Sequence, residues 1–147
     1  MHQNQPVPSP QPSAAVSGTP GVTNGIIYAS AARVVAAYTS DEMFNPNCKG
    51  VRIYADITVN NGGTVIVKIQ TRDPNSDAWV DLTGATTAGL ATANQTRTLT
   101  VYPGITVAAG TATTNTEINN HLGTSWRLVA TVSVATVTFS VGAEYLL

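Results

Sequence analysis

Charge is scarce in this sequence. Of 147 residues 10% are charged, 7 Lys and Arg against 8 Asp and Glu, for a net charge of −1; an ordinary soluble domain carries about 25%. Nucleic-acid binding by counterion displacement needs clustered basic residues. Here they stand singly, at Arg33, Lys49, Arg52, Lys68, Arg72, Arg97 and Arg127, so no nucleic-acid partner is expected. Good helix formers are also few: 7 Leu, 3 Glu, 2 Lys and 2 Met. The single cysteine, Cys48, excludes an internal disulfide and a zinc site built on several thiolates. As a nucleophile it would need a histidine, and there are only His2 and His121, so it reads as an incidental thiol. Residues 1–12 show neither the basic nor the apolar region of a secretory signal. No run approaches the ~18 apolar residues of a membrane helix. No membrane partner is expected, and the composition fits a chain made in a reducing cytoplasm.

What the sequence has instead is 22 Thr and 17 Val. β-Branched side chains lose rotamer freedom in a helix and pack well on a pleated sheet, so an all-β protein is expected. With 43% hydrophobic residues the chain is too apolar to be wholly disordered. Its length suits one domain.

Five of the 8 prolines, Pro6, Pro8, Pro10, Pro12 and Pro20, fall in the first twenty residues, among Gln, Ser and Gly. Alternate proline fixes φ and removes backbone donors, which predicts an extended arm over residues 1–21 and a globular domain over 22–147. Stiffened in this way, the arm loses less entropy on docking than a glycine-rich tail would. Gln5, Pro6, Pro8, Pro10 and Pro12 are its candidate partner-contacting residues.

Residues 26–37 (IIYASAARVVAA) allow a short helix or a strand, and the strand-rich context favours a strand. Residues 40–50 read as a loop. Val51, Ile53, Ala55, Ile57 and Val59 then alternate with Arg52, Tyr54, Asp56 and Thr58, as one strand with one buried face. Asn60-Asn61-Gly62-Gly63, followed by Val65, Val67 and Ile69, predicts an antiparallel hairpin. A turn at 71–77 leads to a short strand at 78–82. Residues 84–94 read as a loop, 96–102 as a strand ending at Pro103-Gly104, and 105–122 as irregular. Trp126, Leu128, Ala130 and Val132 share one face of the next strand; Val137, Phe139, Val141, Ala143 and Tyr145 share one face of the last. Seven or eight short strands separated by turns mean a β-sandwich or barrel.

Motifs that carry chemistry are weak. Asp73-Pro74-Asn75-Ser76-Asp77 opens like a calcium loop, but the positions that need Gly and Glu hold Ala78 and Gly84, so a hairpin turn is expected. The carboxylates Asp41, Glu42, Asp56, Asp73, Asp77, Asp81, Glu117 and Glu144 show no spacing that pairs two of them across a cleft. No serine elbow, phosphate loop or histidine pair at ligand spacing occurs. No catalytic, cofactor or metal-binding residues are therefore expected, and no cofactor. Trp126 reads as core; Trp79, beside a loop, is the candidate glycan contact.

Three stretches carry a resemblance: YASAARVVAAYTSDE (28–42), GVRIYADITVNNGGTVIVKIQTRDPNSDAWVDLTGA (50–85), and SWRLVATVSVATVTFSVGAEYLL (125–147) with VYPGITV (101–107) before it. In this order they resemble small β-rich virion proteins of tailed bacteriophages, the capsid decoration or cement proteins. The resemblance excludes the arm. It implies a non-enzymatic, single antiparallel β-sandwich, jelly-roll-like, that binds the major capsid protein on the outside of the shell as a homotrimer. It also implies a virion location after synthesis in the host bacterial cytoplasm. Other virion roles, in a tail, collar or fibre, and a carbohydrate-binding sandwich remain alternatives.

Overall fold

A computed structural model describes residues 24–45, 49–107 and 115–147. Gln5, Pro6, Pro8, Pro10 and Pro12, the residues expected to form the arm, lie outside them together with His2 and Cys48. Ten strands and no helix occur among the described residues: β1 (Asn24–Arg33), β2 (Ala36–Thr39), β3 (Met43–Phe44), β4 (Gly50–Asn60), β5 (Thr64–Arg72), β6 (Trp79–Thr86), β7 (Gln95–Val101), β8 (Asn115–Ile118), β9 (Ser125–Ser133) and β10 (Val137–Leu146). They form a β-sandwich. Sheet A has the order β1-β10-β4-β7-β8, and sheet B the order β2-β9-β5-β6 with β3 also on β9. Every pairing is antiparallel except that of β7 with β8.

Period-two alternation builds both inner faces. Val51, Ile53, Ala55 and Ile57 from β4, and Val137, Phe139, Val141, Ala143 and Tyr145 from β10, form one wall. Val65, Val67 and Ile69 from β5, with Trp126, Leu128, Ala130 and Val132 from β9, form the other. Trp126 is fully buried, as its phase with Leu128 predicts, and meets the Tyr145 ring edge-on at 6.0 Å. Both of these sequence-read faces are therefore core.

The expected hairpin over 50–70 is not one. β4 lies in sheet A and β5 in sheet B, so Asn60-Asn61-Gly62-Gly63 carries the chain from one wall to the other. The turn chemistry itself is as read. Asn60 Oδ1 accepts hydrogen bonds from the amides of Gly62 (2.9 Å) and Gly63 (2.7 Å), and Gly62 has φ +93°. A Cβ on Gly63 would sit 2.2 Å from the Ala135 carbonyl oxygen, so this turn packs against the one joining β9 to β10. Local residues specify a reversal; only the partners available elsewhere decide which sheet each strand joins. The true hairpin is β5–β6, closed by Asp73 to Ala78 with the Asp73 amide donating to Ala78 O at 2.8 Å.

Smaller differences have local causes. Val59 is 51% exposed because a register slip between Thr138 and Phe139 turns the end of β4 over. The stretch 26–37 is extended, as favoured, but breaks after Arg33 so that β1 and β2 enter different sheets. Residues 40–50 contain β3, where Met43 is buried and pairs with Trp126. The expected loop at 84–94 includes the end of β6 and a buried Leu90 bridged to Val65. The irregular stretch 105–122 contains β8.

Candidate interaction surface

Six of the eight carboxylates bind a neighbouring side chain or amide. Asp73 caps the β5–β6 turn, accepting from the Asn75 amide and the Ser76 hydroxyl at 2.8 Å each, and these bonds hold its carboxyl below the usual range. Asp81 accepts from Lys68 (2.8 Å) and Gln70 (2.7 Å) and is lowered for the same reason. Glu42 and Asp77 both meet Arg72, at 3.1 and 3.4 Å. Glu144 accepts from the Tyr54 hydroxyl at 3.0 Å, and Asp56 from Thr96. Among the described residues no three His, Cys, Asp or Glu side chains come together in a way that could hold a metal ion.

The outer face of sheet B carries an ordered polar ladder. Lys68, Asp81, Gln70 and Arg127 bond in series, the last through its Nε to Gln70 Oε1 at 2.8 Å. The Arg127 guanidinium then lies 4.4 Å from the centre of the Trp79 ring, within cation–π range. Trp79, the glycan candidate, is thus half-buried at the start of β6 with Arg127 over its ring. Its register partner is Arg72, and the two Trp residues are not brought together in one platform: Trp126 is core.

The opposite side, where β1 passes into β2, is built differently. Residues 24–40 contain one charge, Arg33. Its guanidinium folds inward, 4.4 Å from the Phe139 ring centre, 5.4 Å from Tyr28 and 5.9 Å from Tyr38. It donates to Ala29 O (2.8 Å) and Ala31 O (3.1 Å) on its own strand and to Phe139 O (2.8 Å) on β10. The β1–β10 register slips between Ile26 and Tyr28 and again between Tyr28 and Ala31. Arg33 therefore supplies donors to carbonyls on both sides of the irregular ladder, and fastens β1 where regular pairing fails. The Tyr28 hydroxyl crosses to sheet B, donating to Tyr38 O at 2.9 Å. Burial pushes its phenol up to about 12, with Arg33 pulling the other way.

With its charge turned in, this corner shows solvent an uncharged surface: Ile26 at 62%, Val34 at 64% and Val35 at 55% exposure, with Ala29, Ala31, Ala32, Ala36 and Ala37 also exposed. Contiguous exposed apolar residues on a sheet edge mark contact sites. Sequence reading missed Arg33 as anything but a scattered base. The available signal was a lone charge inside a run of small and apolar residues, between Tyr28 and Tyr38. A hollow of about 620 Å³ lies elsewhere, at the sheet A end formed by Arg52, Thr100, Tyr102, Glu144 and Leu146. Its lining holds one acid, one base and the phenols of Tyr102 and Tyr145 among apolar side chains. Comparison with protein-family models and with curated proteins finds no match for this sequence.

Proposed function

We propose that this protein is a structural component of a phage virion that binds the outer surface of the capsid as a cement or decoration protein. The uncharged β1–β2 corner is the observation that carries this reading. Side chains such as Ile26, Val34 and Val35 cost free energy in water and gain it under a partner, and identical neighbours placed by symmetry supply one without charge matching. The sandwich would sit on the major capsid protein as a homotrimer, and the proline-rich arm, residues 1–21, would contact neighbouring subunits. Many shallow contacts per shell add by avidity. No enzymatic step, cofactor, nucleic acid or membrane enters the reading.

The strand order supports a jelly-roll reading of the sandwich. Each of β1, β10, β4 and β7 is joined by the chain directly to β2, β9, β5 and β6, which stand at the same positions in the other sheet. That is the pattern of a strand pair rolled up across two sheets.

The test is reconstitution on capsids with the full chain and with residues 1–21 deleted. Full-length protein is expected at hundreds of copies per head, and capsids bearing it are expected to resist heat better. Loss of the arm should lower both occupancy and heat resistance; no binding to heads by either protein abandons the reading. Location on a tail, collar or fibre by electron microscopy selects another virion role. Trp79, held by Arg127 at the sheet margin, supports a carbohydrate-binding module as a second reading. A glycan array with wild type and Trp79→Ala decides that, since this reading requires Trp79-dependent binding.

A further inference from the structure

Four positions in the two sheets have a free edge among the described residues: β1 and β8 in sheet A, β2 with β3, and β6, in sheet B. β8 and β2 have four residues each, and β6 carries Asp81 beside a register slip. β1 has ten. Among the described residues its backbone bonds to β10 and to Arg33, which leaves its outer edge without a hydrogen-bonding partner. No lysine or proline protects that edge, and its one charge is folded onto Phe139. Such an edge is a template for another strand.

The sequence holds a segment suited to it. In an extended strand, consecutive residues present their N–H and C=O to opposite edges. Proline at 6, 8, 10 and 12 therefore removes donors from one edge only, and the amides of Gln5, Val7, Ser9, Gln11 and Ser13 remain on the other. A strand of this kind can pair on one side and is blocked on the other, which is where strand proline is tolerated. The spacing of two matters: polyproline recognition repeats every three residues, and this pattern does not.

We infer that residues 5–13 of one copy add as a strand to the free edge of β1 in a second copy, with the odd-numbered residues facing β1 and the prolines closing the new edge. Nine residues at ~3.3 Å each span about 30 Å, close to the length of β1. Residues 1–23 carry no Asp, Glu, Lys or Arg, so no charge is desolvated when they meet the uncharged corner. To pair with its own β1 the segment would have to reverse within residues 14–23. The turn signals there are Ser17-Gly18 and Pro20-Gly21; the second favours type I or II turns, whose twist splays hairpin strands. A second copy is the better acceptor. The inference rests on the proposal that the arm contacts neighbouring subunits, and does not depend on the shell.

The experiment uses full-length protein in solution: light scattering over a concentration series, with amide hydrogen exchange on β1. Wild type is expected to associate and to protect the outer-edge amides of β1. Ser9→Pro with Gln11→Pro removes two donors from the pairing edge; association should weaken about tenfold or more and β1 protection should fall, with thermal unfolding of the sandwich unchanged. Pro8→Ala with Pro10→Ala opens the blocked edge and should raise the associated mass above that of wild type. A wild type that stays monomeric overturns the inference, whether or not β1 is protected, and so does association that the Ser9→Pro, Gln11→Pro variant leaves intact. Association without capsid binding would keep this inference and remove the cement reading; capsid binding by a protein that never self-associates would do the reverse.

Discussion

The β1–β2 corner and the outer face of sheet B handle polarity in opposite ways. On sheet B, Lys68, Asp81, Gln70 and Arg127 stay at the surface and bond to each other across strands. At the corner one guanidinium turns in, takes three carbonyl oxygens and three aromatic rings, and leaves an apolar exterior. Screened surface pairs contribute little each, about 0–1 kcal/mol. A partly buried charge with several partners is worth more, and its loss leaves the shielded Phe139 carbonyl without its donor while water reaches those of Ala29 and Ala31. The few charges of this chain therefore do unequal amounts of structural work, and the corner depends on one of them.

The comparison can be broken at its base. Phe139→Ala should cost about 3–5 kcal/mol, because it opens a cavity in the core and removes the ring under Arg33; chemical denaturation measures it. Arg33→Ala comes next, at about 2–3 kcal/mol, since three carbonyls lose a charged donor. Arg33→Lys should recover less than half of that, because an ammonium cannot span the three acceptors as the planar fork does. Hydrogen exchange should show that both Arg33 variants loosen β1 while β5, β6 and β9 stay protected. Equal loosening of all four strands would mean that Arg33 is not a local fastener.

Acid and alkali should separate the two regions. Folding raises the Tyr28 phenol to about 12, from an ordinary value of about 10. Its contribution is whole below pH ~10 and is lost as pH rises through the folded value. Asp81 is lowered, so its contribution is present above the ordinary carboxylate pKa and is lost as pH falls through its folded value. Tyr28→Phe should flatten the alkaline limb of the stability curve and leave the acid limb alone. Lys68→Met should return Asp81 toward ordinary titration, followed by NMR, with less than ~1 kcal/mol of stability lost. The smallest change is a gain. Val134 sits in the β9–β10 turn at φ +72°, 80% exposed. Val134→Gly should stabilise by up to about 1 kcal/mol by relieving a left-handed β-branched residue.

The inner faces were legible in the sequence because alternation has a fixed period, and burial obeys it at Val51 to Ile57, Trp126 to Val132 and Val137 to Tyr145. Sheet membership was not. Asn60-Asn61-Gly62-Gly63 is the same local chemistry whether it closes a hairpin or crosses a sandwich, and the choice depends on β9 and β10, about seventy residues away. Val59 was misread because a bulge leaves no composition signal. The corner was half legible: its lack of charge was plain, but Arg33 became meaningful only once Phe139 lay beneath it.

The position of β9 and β10 also sets an order in time. They are the last two of the ten strands in chain order, yet β10 lies between β1 and β4, and β9 between β2 and β5. Without them β4, β7 and β8 keep one another, and β5 keeps β6, but β1, β2 and β3 have no strand partner among the described residues. The corner made early in synthesis must therefore wait, unpaired, until residues 125–146 arrive. Such non-local closure is slow and leaves an adhesive edge open while it lasts.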